Sequence, residues 1–534
     1  MFNLFFFIIL IVAIVLRILF LDKPSGLWYD ELIMYNHACL PSLDIIKYVL
    51  NNDMHFPLYQ MILRCWMLLF GNSDFNLRFL SLLFGLFSCI GAYFISNDPK
   101  KNLLCMLLFS INSFLIYNSQ DVKIYSLLVF FVVLNLIFLI RIYEKNKGYI
   151  FWIISSLGLI FTYPTAFLYV VFEIILFSFY KFSKKFLLSI LPIFLIFIPI
   201  IFIVLKNFGR YSNNPNWFYT DDESFLIIFQ NFFTPVLTSL DTNMVGYVDN
   251  LIKNLNFYSF IFIILPILVA IFFVIKSLKK DNINKIIFLS AVFFYLTYFL
   301  VFKIYDINIL SRYLIIILPN FLIVIARGFD FKKKSIILMS CFVLINVYYL
   351  CFNESAAFKI SRLGFKPVAE IINQNAEKED VIIFRNNIEV IDKYLTKKLK
   401  KVSLLQDFAY KSEFFVNNDS NINKLSSKEK KYYIKPYLLD ENNPKNILVM
   451  YGLMYVLMEK NSRLFLVVEK QFDKYDRKLF FETISDDKLY DGISFNNLLT
   501  IKTLLYIKEL NNKNLKFINK FYAGDFVVYE YQKI

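Results

Sequence analysis

Histidine, glycine, proline and charge are all scarce in this chain of 534 residues. The two histidines, His37 and His55, exclude a histidine-rich metal centre. Thirteen glycines and fourteen prolines exclude a collagen-like or low-complexity chain. Charged residues make up 19%, against about 25% in an ordinary soluble domain. That excludes a charge-laced coiled coil and a disordered tail. The six cysteines (Cys39, Cys65, Cys89, Cys105, Cys341 and Cys351) include no Cys-x-x-Cys pair. Four sit in or beside apolar runs, where cysteine acts as a small hydrophobe. Cys39 and Cys65 fall in one loop, where a disulfide is the less expected arrangement. The net charge of +15 is split into +6 from Asn353 onward and +9 before it. Most of the latter lies in short loops between apolar runs. No nucleic-acid partner is implied.

Apolar side chains dominate instead. Hydrophobic residues are 58% of the chain, with 63 Phe and 35 Tyr, and the mean hydropathy is +0.55. So much apolar surface cannot be hidden from water without lipid. A bilayer-crossing helix needs about 17–25 apolar residues. Eleven runs approach that length, near 3–21, 76–95, 102–117, 124–141, 149–163, 165–180, 186–206, 257–276, 285–302, 311–326 and 335–352. The first lacks a basic leader and a small-residue cleavage site, so it is expected to stay as an anchor.

Lysine and arginine counts give the orientation. The alternate loops 96–101, 141–148, 181–185, 276–285 and 327–334 hold 16 basic residues, and the short loops opposite hold 3. The basic set is expected in the cytoplasm, which places the N-terminus inside and the C-terminal portion outside. Arg17 and Lys23, at the outer end of the first run, point the other way. Three outer segments are long. Residues 22–76 contain two amphipathic stretches, 31–50 and 57–70, expected to lie at the interface. Residues 207–256 form a polar, aromatic loop. From 353 the pattern becomes soluble, with a helix over 368–375 and strands over 380–384, 463–468 and 525–531, predicting an extracytoplasmic α/β domain. The fold class is mostly α: a polytopic membrane module over 1–352 and this small domain over 353–534.

Four short stretches concentrate polar chemistry. Ser25-Gly26-Leu27-Trp28-Tyr29-Asp30-Glu31 puts two adjacent acids just past an apolar run. They fit a general base, a ligand for a cation (a divalent one included) or for a cationic group, or a helix N-terminus equally well. His55-x-Pro57-Leu58-Tyr59 follows, with Arg64 and Arg78; Pro57 suits a first helical position, and the arginines suit either a ligand or snorkelling. Asn118-Ser119-Gln120-Asp121-Val122-Lys123-Ile124-Tyr125 places a third acid on the same expected outer face, with Lys123 suited to a phosphate. Ser311-Arg312-Tyr313-Leu314 with Pro319 fits a phosphate contact or an interfacial anchor.

In that order, with Phe70-Gly71-x-Ser73-x-Phe75-x-Leu77-Arg78, these motifs resemble the dolichyl-phosphate-mannose–protein mannosyltransferase-like superfamily. That superfamily includes the aminoarabinose transferases acting on lipid A. The likeness covers roughly residues 1–330. It implies a GT-C fold of about eleven transmembrane helices in the bacterial inner membrane. It also implies inverting transfer of a sugar from a polyprenyl-phosphate carrier to an extracytoplasmic acceptor hydroxyl on a glycolipid, glycan or protein. By this likeness Asp30 is the catalytic base, Glu31 supports it or binds a cation, and Asp121 is the second acid. Lys123 and Arg312 would hold the carrier phosphate, with His55, Tyr59, Arg78, Tyr125 and Tyr313 lining the substrate. The chain departs from the family at Asp121 and Lys123, where Glu and Arg are usual, and at Thr162-Tyr163-Pro164, where many relatives carry His-Tyr. A lipid-linked glycan flippase or a polysaccharide ligase is the alternative.

Overall fold

The computed structural model describes residues 2–19, 21–23, 25–52, 56–212, 232, 257–304, 311–352, 365–378, 380–384, 388–397, 399–403, 463–469, 515–523 and 526–533. His55 and nearly all of the 207–256 loop lie outside these residues. The chain forms two compact units. One is Met1–Asp22 with Met34–Ile360, and the other is Lys23–Ile33 with Ser361–Ile534.

The first unit is helical. It begins with α1 (Phe2–Ile18), then α2 (Tyr29–Cys39), of which residues 29–33 belong to the second unit, α3 (Ser42–Asn52), α4 (Leu58–Phe70) and α5 (Asp74–Gly91). Then follow α6 (Pro99–Ile111), α7 (Ser113–Asn118), α8 (Tyr125–Lys145), α9 (Tyr149–Thr162) and α10 (Ala166–Tyr180). Later helices span Lys184–Ser212, Phe257–Leu278, Asn282–Ile304, Leu318–Gly328 and Lys333–Phe352. Every expected apolar run coincides with helix. Among the described residues, four helical stretches are long and apolar enough to cross a membrane: Asp74–Phe94, Tyr125–Lys145, Asn282–Val301 and Ser311–Gly328. Five more are apolar but shorter. Outward faces are strongly apolar, with Phe179 81%, Leu69 76% and Leu68 73% exposed. Such a surface needs lipid against it.

Two expected elements are each split in two, for local reasons. The 31–50 stretch divides at Leu40-Pro41, because proline lacks an N–H and disfavours helix in the residue before it; α3 restarts with Asp44 and Ile45 donating to Pro41 O. The 102–117 run breaks at Asn112, whose side chain accepts from Leu115 N at 3.0 Å and caps α7. Elsewhere Ser73 caps α5, and Asp98 with Pro99 starts α6.

The five loops expected on one membrane face gather at one end of this unit. Buried Arg327 donates to Ile95 O, Asn284, Glu144 and Asp281. Asn97 joins Glu144 and Lys145, and Lys181 donates to Tyr143 O. That shared end agrees with the alternation of basic loops.

The second unit carries a five-stranded sheet, with β1 Val381–Phe384, β2 Lys400–Ser403, β3 Arg463–Glu469, β4 Leu515–Ala523 and β5 Phe526–Lys533. The order is β2-β1-β3-β5-β4. β1 runs parallel to β2 and β3, whereas β5 is antiparallel to β3 and β4. The continuous apolar Val381–Phe384 suits a central parallel strand. A helix at Lys366–Asn375 buries Val368, Ala369 and Ile372. Arg463 pairs with Asp380, Glu377 and Glu530, each at 3.2 Å.

Candidate functional site

The first acid motif packs within the second unit. Leu27 N donates to Tyr394 Oη at 2.7 Å, and Lys366 N donates to Ser25 O at 3.3 Å. Gly26 sits at φ +76°, and a Cβ there would lie 2.7 Å from Lys366 Cβ and 2.8 Å from Tyr394 Oη. Both backbone conformation and space demand glycine. Gly26→Ala is expected to cost about 1–3 kcal/mol, read as a lower thermal unfolding midpoint of the purified chain.

From this turn α2 starts. Glu31 is fully buried, and its Oε2 accepts from Trp28 N at 3.1 Å. A glutamate at the third helical position reaching back to the residue before the helix is half of a capping box. Glu31 is thereby committed to closing the helix end. Asp30, one residue earlier, is only half-buried and open to solvent. Adjacent in sequence, the two carboxylates differ in burial.

The second acid motif lies in the first unit, where α7 gives way to α8. Asp121 and Lys123 are both buried, and Lys123 N donates to Asp121 O at 2.8 Å, forming a tight turn. Two anchors hold it. Gln120 Nε2 donates to Arg17 O (3.0 Å) and Leu16 O (3.4 Å) in the last turn of α1 and to Leu19 O (2.6 Å) just past its end. Tyr59 of α4 hydrogen-bonds Ser81 of α5 at 2.8 Å, and Ser81 reaches Lys123 O at 3.5 Å. Arg78, also buried, donates to Leu21 O at 3.2 Å. Tyr59, Arg78, Asp121 and Lys123, drawn from two separate sequence motifs, therefore share one framework.

Arg17 corrects its reading as a topology signal. It is 1% exposed and turned into the helical unit. Its guanidinium donates to Phe109 O (3.0 Å), Ser110 O (3.2 Å) and Ala13 O (3.3 Å). Phe109 and Ser110 close α6, so their carbonyls lack intrahelical partners. A cation there also complements the negative helix end. α1 thus caps α6 through Arg17, while Gln120 caps α1.

The fourth motif sits near the start of α8. Arg312 stacks over its neighbour Tyr313 at 5.5 Å. Both act electrostatically on Tyr163, whose hydroxyl lies 3.1 Å from that of Tyr298. Tyr298 also senses Tyr125 and Tyr313. Both phenols are buried, Tyr163 at 6% and Tyr298 at 2% exposed. Tyr298 and Ser81 carried no sequence signal, since each sits inside an apolar helix without a motif around it.

Beside Pro57 and Leu58 lies an apolar hollow of about 210 Å³, lined by Ile46, Leu50, Phe56, Met61 and Phe161 among others. Its walls offer dispersion contacts to a hydrocarbon chain and almost no polar atoms. Cys39 and Cys65 are both free thiols. Among the described residues, no group of three His, Cys, Asp or Glu side chains is placed to hold a metal.

No family model matches the chain, and no curated protein matches it. Solved structures do. The crystal structure of ArnT from Cupriavidus metallidurans bound to undecaprenyl phosphate aligns with TM-score 0.48 at 12% identity, over 98% of this chain and 97% of that one. The apo crystal structure of the same enzyme aligns with TM-score 0.51 at 10% identity, again over 98% and 97%. Along nearly its whole length, this chain is similar in fold to ArnT.

Proposed function

We propose that the protein is a GT-C membrane glycosyltransferase. It takes a sugar from a polyprenyl phosphate and passes it, with inversion, to an acceptor hydroxyl on the extracytoplasmic face of the bacterial inner membrane. The observation that carries this reading is the Ser119–Tyr125 turn. A buried acid and a buried lysine are fixed there by the Gln120 cap on α1 and by the Tyr59–Ser81 link, with Tyr125 near the Tyr163–Tyr298 pair and Arg312. ArnT, with which this chain shares its fold, has been crystallised with undecaprenyl phosphate.

The residues divide the work as the chemistry requires. A polyprenyl carrier cannot leave the bilayer, and the apolar hollow beside Pro57 offers its chain a place. Its leaving group is a phosphate, so Lys123 and Arg312 neutralise the charge that builds on it as the glycosidic bond breaks. The hydroxyls of Tyr163 and Tyr298 offer hydrogen bonds beside it. Asp30, the solvent-facing acid, takes the acceptor's proton, while Glu31 holds the start of the helix on which Asp30 stands. Asp121 orients Lys123. We retain 1–352 as the catalytic module, with the remainder as an extracytoplasmic domain and the N-terminus in the cytoplasm.

A flippase would need a polar path at mid-membrane. Glu173, the acid inside α10, is fully enclosed. Asn135 donates to its two oxygens at 2.8 and 2.9 Å and itself accepts from Ser156 and Trp152. That closed lattice joins helices and favours the enzyme.

The test is transfer by the reconstituted protein from polyprenyl-phosphate sugars, followed as release of free polyprenyl phosphate. Lys123→Gln and Arg312→Gln each remove a charge-assisted hydrogen bond, and each is expected to weaken donor binding about 10–100-fold. Wild-type donor affinity in both variants would refute the phosphate assignment.

A further inference from the structure

The loop between the Leu318–Gly328 and Lys333–Phe352 helices holds a strained aromatic. Phe331 adopts φ +57°. The other described non-glycine residue at positive φ, Asn146, is the left-handed cap of α8, a role asparagine fills readily. A phenylalanine there is strained, because its Cβ crowds the backbone in the left-handed region. What the strain achieves is outward display of the ring, which is 36% exposed. The ring stands edge-on to Phe329 at 4.6 Å, with Lys100 Nζ 5.5 Å from its centroid.

Lysines crowd the same loop. Lys280 Nζ donates to Gly328 O and Phe329 O at 3.0 and 3.4 Å. Lys276 Nζ lies 2.5 Å from Asp330 and 3.0 Å from Ser335 Oγ. Shielding at the helix end, then the ammonium groups of Lys101, Lys276 and Lys332, hold Lys280 below the usual lysine range, with Asp330 opposing them. Four ammonium groups thus face one carboxylate. Of the other acids at this end, Glu144 and Asp281 are occupied by Arg327, and Asp98 caps α6 by accepting from Lys100 N. Next to this excess of positive charge the surface turns apolar. Ile271 and Ile275 on one helix and Ile336 and Ile337 on the other are exposed.

We propose that Lys101, Lys276, Lys280 and Lys332, with Phe331, bind the headgroup of an anionic phospholipid. The phosphate offsets the lysine excess, the ring seats at headgroup depth, and the acyl chains follow the exposed isoleucines. The apolar flank favours a lipid over a free anion. The site is independent of the transfer reaction proposed above, and lies at the end of the helical unit where the basic loops gather.

The experiment uses the full-length protein in lipid nanodiscs, with phosphatidylglycerol titrated into phosphatidylcholine and lipid retention read by native mass spectrometry. Wild type is expected to retain phosphatidylglycerol selectively. Lys280→Gln with Lys332→Gln is expected to weaken retention about 10–30-fold. Lys184→Gln with Lys185→Gln, exposed lysines at the same end but outside the cluster, should stay within about twofold. Phe331→Gly relieves the backbone, so it should lose retention while its lipid-free unfolding midpoint holds or rises. Equal weakening by both lysine pairs would mean diffuse charge attraction and overturn the site. Unchanged retention in the Lys280/Lys332 pair would do the same. Inorganic phosphate alone reproducing the phosphatidylglycerol effect would overturn the assignment to a lipid.

Discussion

Asp30→Asn protein folds and inserts normally but transfers sugar about 10²–10⁴-fold more slowly than wild type, the range that loss of a general base spans. The substitution keeps the size of the side chain and removes only its ability to take a proton. The fold should tolerate it, because the helix start is held by other groups: Glu31 on Trp28 N, Gly26 in its left-handed turn, and Tyr394 on Leu27 N. Glu31→Gln makes the informative contrast. A glutamine can still accept from Trp28 N, so the cap survives and activity should fall far less. If Glu31→Gln were as inactive as Asp30→Asn, the division of labour between the two acids would be wrong. Wild-type turnover by Asp30→Asn would end the assignment of the base.

Arg17→Met lowers the unfolding midpoint in detergent by about 5–10 °C, as expected when about 3 kcal/mol is lost from a domain of a few hundred residues. Methionine matches the arginine stem but leaves the Phe109 and Ser110 carbonyls without their donor. Within a membrane protein no water stands ready to replace it. Arg17→Lys can reach one carbonyl at a time, so about half the loss should return. Transfer should fall along with stability, because the α1 end that Arg17 ties to α6 is also the anchor for Gln120, one residue before Asp121. An Arg17→Met protein with an unchanged midpoint would show that the helix break needs no cap.

Reading the sequence recovered what burial and periodicity write plainly. Apolar runs marked the helices, and the strands at 381–384, 463–469 and 526–533 lie within a residue or two of their expected bounds. Local chemistry was harder. The 102–117 run is apolar throughout, so its break hung on one residue, Asn112, whose capping bond is a signal without a period. Pro41 carried an explicit cue to the split between α2 and α3 that the amphipathic pattern outweighed. Arg17 pointed against the summed loops because lysine and arginine counting assumes solvent-facing charge, whereas this side chain folds inward onto backbone carbonyls. Of the residues proposed to act, Asp30, Asp121, Lys123 and Arg312 stood out as polar residues in apolar surroundings. Their supports, Ser81 and Tyr298, act through contacts across helices that no linear motif encodes.

Lipid-linked sugars in cells lacking this protein would decide the matter most directly. One polyprenyl-phosphate-linked sugar should accumulate in the deletion strain, return to its usual level when the wild-type chain is restored, and stay high with Asp30→Asn. An unchanged set of carrier-linked sugars in all three strains would contradict the proposed enzyme.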